Sequence, residues 1–243
     1  MSSTSGPRLA PGGIVLNLDT SDKKSRKDTG TVWYDRTLNS NNGFLSGGVT
    51  YNSSNKGSYV FDGSNDFVDC GNKASLNITT QLSVSTWVYF NSAPLAAGNP
   101  SIVDKWDFNT NNRSFALGTS SGNIVAFISS DGGNTNRITV DGGAPVLNQW
   151  TRLTMTYDNQ TLRLYKDSVL VSSSAFGAVT NIHSSQATNT FLMRSRGTAT
   201  SSFINGRLSQ VSIYSKALSL AEIKDNFNAN RSRFELRFRS RDD

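Results

Sequence analysis

The run WTRLTMTYDNQTLRLYKDSVLVSSS, residues 150 to 174, decides the fold class. Read in twos, Leu153, Met155 and Tyr157 fall on one side, with Arg152, Thr154 and Thr156 on the other. Asp158-Asn159-Gln160 interrupts the pattern with turn chemistry, and Leu162 and Leu164 then alternate against Arg163, Tyr165 and Asp167. Asp167-Ser168 is a second turn, from which Val169-Leu170-Val171 leads out. Period-two patterning between Asn, Asp and Ser punctuation specifies antiparallel strands with one buried face and one wet face. Three such strands make a meander, whose apolar face needs a second sheet to cover it.

The rest of the chain repeats this grammar. Residues 82–90 place Leu82, Val84, Thr86, Val88 and Phe90 on one face, with Trp87 and Tyr89 opposite. Residues 13–19 read as a first strand, and 58–62 and 67–70 as a pair joined by Gly63-Ser64-Asn65-Asp66. Further strands are expected at 101–103, 114–117, 124–128, 138–140, 190–193 and 203–214. Strands recurring at intervals of about eight to twelve residues suit a sandwich or jelly roll. The segment 21–36 reads as an exposed basic loop, and 39–48 (NSNNGFLSGG) as turn chemistry throughout. One short helix is expected: Ser219 and Glu222 form a capping-box pair, Leu220, Ile223 and Phe227 recur at helical spacing, and the end falls near Asn228. The reading is an all-β, two-sheet antiparallel jelly-roll sandwich with one short C-terminal helix. It comprises an N-terminal arm (1–12), one domain (13–230) and a basic tail (231–243).

Composition removes several chemistries. Charged residues are 17% of the 243 and apolar residues 36%, a low-charge balance that favours short strands over helices or disorder. Cys70 is the only cysteine and His183 the only histidine, so an intrachain disulfide, a cysteine zinc site and a multi-histidine metal site are all excluded. The N-terminus lacks the apolar core of a signal peptide, and no run reaches membrane-spanning length. Synthesis in a host cytoplasm is therefore expected, with no membrane partner. Net charge is +6. In the last thirteen residues five arginines stand against three acids, a cluster suited to an acidic surface.

Four motifs, in order, carry a family resemblance: FDGSNDFVDCGN (61–72), VSTWVYF (84–90), the meander, and FINGRLSQVSIYSKALSLAEI (203–223). Together they resemble laminin-G-like domains of the concanavalin A-like lectin/glucanase superfamily, over residues 13 to 230. The closing NFNANRSRF (226–234) is similar to the ends of such domains in tailed-phage and marine viral structural proteins. The resemblance implies a concave sheet packed on a second one. Function varies on such a fold, so each site is weighed separately. Glucanase relatives carry paired carboxylates on one strand. Here Glu222 and Glu235 are the only glutamates, one on the expected helix and one in the tail, which argues against glycoside hydrolysis.

Three candidate sites remain. Asp62, Asn65 and Asp66 match the family's Phe-Asp-Gly-x-Asn-Asp loop, which in relatives holds calcium; turn formation is the competing role. The family's acidic final strand is replaced by Gly206-Arg207-Leu208-Ser209-Gln210-Val211, so no cofactor is expected and calcium is doubtful on this ground. Trp106, Asp107, Asn109, Asn111 and Arg113 sit together in an expected loop, where a ring and polar groups would hold a glycan. Phe234, Leu236 and Phe238 alternate with arginines, so Arg233, Phe234, Leu236, Arg237, Phe238 and Arg239 form a strand-like tail suited to assembly. Removing 231–243 is expected to leave the domain folded and abolish assembly. The leading expectation is a non-enzymatic virion surface protein, a capsid decoration or fibre. It would dock to other virion proteins or to itself through its termini and adhere to cell-surface glycans; nucleic acid is not an expected partner. The alternative is a free carbohydrate-binding lectin.

Overall fold

A computed structural model describes residues 9–94, 98–175, 181–195 and 202–234. Its strands form two eight-stranded antiparallel sheets. The first sheet contains β1 (Ile14–Asp19), β4 (Thr50–Asn52), β5 (Ser58–Asp62), β7 (Leu82–Phe90) and β18 (Asn205–Tyr214), together with the meander β12 (Trp150–Tyr157), β13 (Thr161–Lys166) and β14 (Val169–Ala175). The second contains β2 (Val32–Trp33), β3 (Gly43–Ser46), β6 (Phe67–Asp69), β8 (Ser101–Asp107), β9 (Asn112–Ser120), β10 (Asn123–Ser129), β11 (Arg137–Asp141) and β15 (Phe191–Leu192). A small ribbon joins β16 (Arg194–Ser195) to β17 (Ser202–Phe203). The strand order is β14-β13-β12-β7-β18-β5-β4 in the first sheet, with β1 also on β18, and β11-β10-β9-β8-β15-β6-β3-β2 in the second.

The meander is the frame of the first sheet. Met155 stands opposite Leu164 on β13 and opposite Val84 on β7, so the apolar side of each strand falls in one row. These rows meet Val68, Phe115, Leu117, Ile124, Ala126 and Ile128 of the second sheet in one continuous core. Burial of such interlocking rows is the main stabilising term of the sandwich.

The other side of β12 is not wet. Arg152, Thr154 and Thr156 are only 1–2% exposed. The cause is α1 (Leu220–Arg231) and the residues after it, which lie across the outer face of the first sheet. Ser219 caps the helix as expected: its Oγ accepts from the Glu222 amide at 3.3 Å, and Glu222 Oε2 accepts from the Ser219 amide at 2.9 Å. Ile223 packs with Tyr165, Tyr214, Leu218 and Ala10, and Phe227 stacks on Trp87 at 5.5 Å.

This cover changes the meaning of both termini. Arg233 is buried, with Nη1 3.1 Å from Asp19 Oδ1 and Nη2 donating to Ser209 Oγ. Phe234 tilts against Trp87 at 4.3 Å and Trp150 at 4.8 Å. Both residues were assigned by the sequence to an assembly tail, yet they pack on the protein's own first sheet, so the packed unit runs past 230. Leu236, Arg237, Phe238 and Arg239 lie outside the described residues. At the other end Ala10, placed in the arm, is buried and donates its amide to Asn226 Oδ1 at 2.6 Å.

Strand limits also move. The turn-rich run at 39–48 contains β3, because pairing of Leu45 with Val68 supplies from outside the order its own residues do not encode. The strands expected at 101–103 and 114–117 extend to Asp107 and start at Asn112. The loop thought to display Trp106 is thereby reduced to four residues, 108–111.

Candidate functional site

The outward face of the second sheet carries rings where water would be expected. Cross-strand register aligns Thr139, Phe127, Ala116, Asp104, Phe191, Asp69 and Phe44 in one row from β11 to β3. On β10, Ile124, Ala126 and Ile128 enter the core, while Val125 and Phe127 face outward and join Trp106 and Ala116 in a separate apolar cluster. Phe108 packs over this cluster, 6.0 Å from Trp106. Trp106 and Phe127 lie 5.7 Å apart, centroid to centroid.

Arginines lie against these rings. The Arg137 guanidinium sits 4.8 Å from the Phe127 ring centre, and Arg194 sits 4.4 Å from Phe67 and 4.6 Å from Phe191. Between Phe108, Phe127, Arg137, Thr139, Asp141 and Asn99 the surface sinks into a cleft of about 280 Å³. Asp141 accepts from Asn123 Nδ2 at 2.9 Å and from the Gly143 amide at 2.7 Å, which holds its carboxyl below the usual range. Partial burial lowers the Arg137 pKa, and the like charge of Arg113 adds to the effect. An apolar floor with polar groups converging at its rim is the general make-up of a small-ligand site, and it suits a ring with one apolar face and hydroxyl edges.

The residues proposed from sequence for a glycan lie beside this cleft and do not wall it. Trp106 is 1% exposed and forms the floor beneath Phe108 and Phe127. Asp107 is buried and accepts from the Asn109 amide at 2.9 Å. Asn111, at a φ of 53°, accepts from Arg113 Nη1 at 2.9 Å. Arg113 donates onward to the carbonyls of Phe108 at 2.6 Å and Gly132 at 3.2 Å. Asn109, Asn111 and Arg113 thus shape the β8–β9 turn, and Trp106 is withdrawn from solvent because β8 continues through it. Sequence reasoning missed Phe108, Phe127, Arg137 and Asp141. The available signal was β10 itself, where Val125 and Phe127 make a strand apolar on both sides.

Asp62, Asn65 and Asp66 also form a turn. Asp66 accepts from the amides of Gly48 and Asp62, and Asp62 Oδ1 accepts from the Ser64 amide at 2.7 Å. Both acids accept from backbone amides of the turn, and Ser209 and Gln210, which the resemblance aligns with the family's acids, bond instead to Arg233 and Arg152. Among the described residues no group of three or more His, Cys, Asp or Glu is placed to hold a metal. Glu222 is committed to the helix cap and to Lys216, 2.5 Å away, and Glu235 lies outside the described residues.

Comparison with known proteins agrees with this architecture. A family model of the concanavalin A-like lectin/glucanases superfamily, of laminin G type, matches residues 62–224. No curated protein sequence matches the chain. The binding domain of Paraclostridial mosquitocidal protein 1 is 16% identical, with a TM-score of 0.69 over 89% of this chain and 52% of its own. A structure of botulinum neurotoxin type C, described as depending on two ganglioside molecules for cell entry, is 19% identical, with a TM-score of 0.68 over 89% of this chain and 51% of its own. The binding domain of botulinum neurotoxin DC, solved with rat synaptotagmin II, is 16% identical, with a TM-score of 0.67 over 89% and 51%. This chain spans about half the length of each of the three. At such identities the likeness is one of fold. With the family model covering well over half its length, the chain belongs to the concanavalin A-like lectin/glucanases superfamily.

Proposed function

We propose that this protein is a non-enzymatic glycan-binding module whose sugar site is the cleft over Phe108, Phe127 and Arg137. The observation that carries the reading is a ring-floored depression on the outward face of the second sheet, rimmed by Arg137, Thr139 and Asp141. The lectin-like family supports it, as does the description of one structural neighbour as dependent on gangliosides. The expected outcome on a glycan array is binding that falls about tenfold or more in Phe108→Ala and is blocked in Thr139→Trp, with thermal stability unchanged. Full binding by both variants would overturn the assignment of the cleft.

The proposal extends to display on a particle such as a virion. Ala10 and Phe234 both rest on the outer face of the first sheet, while the cleft opens on the outer face of the second. Both ends of the described chain thus lie on the side of the sandwich away from the proposed sugar site, which would leave that site free if a partner docked at the termini. Particle proteins co-purifying with the full chain, and lost on removal of 235–243, are the expected result; a monodisperse monomer that binds no particle protein would overturn it.

A further inference from the structure

The charges around the cleft are unequal in how far they are used. Asp141 spends its carboxylate on Asn123 and the Gly143 amide. Nearby Asp131 spends its own on the Gly133 amide at 2.8 Å and on Asn136 at 2.8 Å. Arg113 is bound to the carbonyls of Phe108 and Gly132 and to Asn111. Arg137 differs: among the described residues its guanidinium donates no hydrogen bond and joins no ion pair, and its one specific contact is the face of Phe127 at 4.8 Å. It is half-buried at the cleft wall.

A guanidinium has five donors in a fixed plane, and those of Arg137, taken by no protein acceptor among the described residues and within reach of water, are open to an acceptor that enters the cleft. The contact with the Phe127 ring holds the guanidinium at the cleft wall. That arrangement suits a planar or tetrahedral anion held by two parallel hydrogen bonds, which a lysine would bind as a point charge only. The like charge of Arg113 adds a positive field on the same side, and the carboxylate of Asp141 is turned to its own partners.

Resting on the assignment of the cleft as a sugar site, we propose that it is selective for acidic sugars, with Arg137 receiving the carboxylate or sulfate of the bound unit while the rings hold its apolar face. Neutral sugars then bind through stacking and hydroxyl contacts alone. The two sources of the anion are separable, because a uronic acid and a sulfated sugar can be offered on the same neutral backbone.

The test is calorimetry on the full chain with three matched oligosaccharides: neutral, uronate-bearing and sulfated. At least one acidic form should bind about tenfold more tightly than the neutral one, and the advantage should shrink as salt rises. Arg137→Gln should abolish the preference by weakening acidic binding about tenfold more than neutral binding, and Arg137→Lys should restore only part of it. Phe108→Ala should weaken all three ligands alike. Equal affinity for neutral and acidic forms overturns the selectivity and leaves the sugar site standing. Absence of binding by every oligosaccharide and across a broad array overturns both readings. An acidic preference unchanged in Arg137→Gln, with the fold intact by thermal melt, overturns the role of Arg137.

Discussion

Phe234 lies against Trp87, ring centres 4.3 Å apart, and so ties the end of the described chain to the middle strand of the first sheet. Trp150, the first residue of the meander, contacts the same ring at 4.8 Å. Two adjacent strands are therefore clamped by one side chain, and Arg233 beside it neutralises Asp19 in a largely buried ion pair. Phe234→Ala should lower stability by about 2 kcal/mol through lost burial and an incompletely filled space. Truncation after 230 should cost more, because it also strands Asp19 without its partner. Urea denaturation of chains ending at 230, 234 and 243 checks this: the chain ending at 234 should match the full chain, and equal stability of all three would refute the clamp.

Phe108 and Trp106 should separate binding from folding. Trp106→Ala removes the floor of the outer cluster and should destabilise by about 3 to 5 kcal/mol. Phe108→Ala strips a half-exposed cover and should change stability by less than about 1 kcal/mol while weakening glycan binding. Thermal melts paired with glycan titrations read both effects.

Lys105 should make stability rise with alkaline pH. Its side chain is fully buried, donating to Asn72 and to the Thr188 carbonyl at 2.5 Å, and desolvation pulls its pKa down from 10.5 to about 8. The folded form thus releases this proton before the unfolded form does. Between the two pKa values the unfolded chain binds more protons, so stability increases from about pH 8 upward, by up to about 3 kcal/mol at full titration. Tyr59, Tyr157 and Tyr214, whose pKa values are raised by burial, act in the opposite direction only above about pH 10. Burial also pushes the Cys70 thiol pKa up, so stability is lost through it as pH passes about 8.5; denaturation midpoints should therefore climb from about pH 8 to 9 and then level off in the natural protein, and fall over the same range in Lys105→Met.

Ser219→Ala should cost about 1 kcal/mol, because it leaves the Glu222 amide at the helix start without its acceptor. The loss should appear first in protection of the helix amides, followed by hydrogen exchange. Since the helix covers Tyr214, fluorescence should report loosening there before the second sheet is affected.

Much of the scaffold was legible in the residues. Alternation placed the meander, β7, β10 and β18, and the Ser219/Glu222 pair placed the helix start, because such signals are local and periodic. Gly43–Ser46 was not legible, since its strand order is supplied by β6. The candidate site was legible only in its neighbourhood: the stretch around Trp106 was singled out, but the ring presented to the cleft is Phe108. The four residues by which β8 outruns its expected end carry Trp106 into the sheet and leave Phe108 at the turn.

By itself the sequence determined an all-β sandwich with a capped terminal helix, because pleat and helical turn impose their periods on neighbouring residues. Only the tertiary structure decided which faces were wet. Arg152 and Thr154 alternate like exposed residues yet lie beneath the helix and Phe234, while Phe127 reads like a core residue yet faces the cleft with Arg137 upon it. Alternation records that a strand has two faces; what covers each face is set by segments far away in the chain, and no local pattern carries that information.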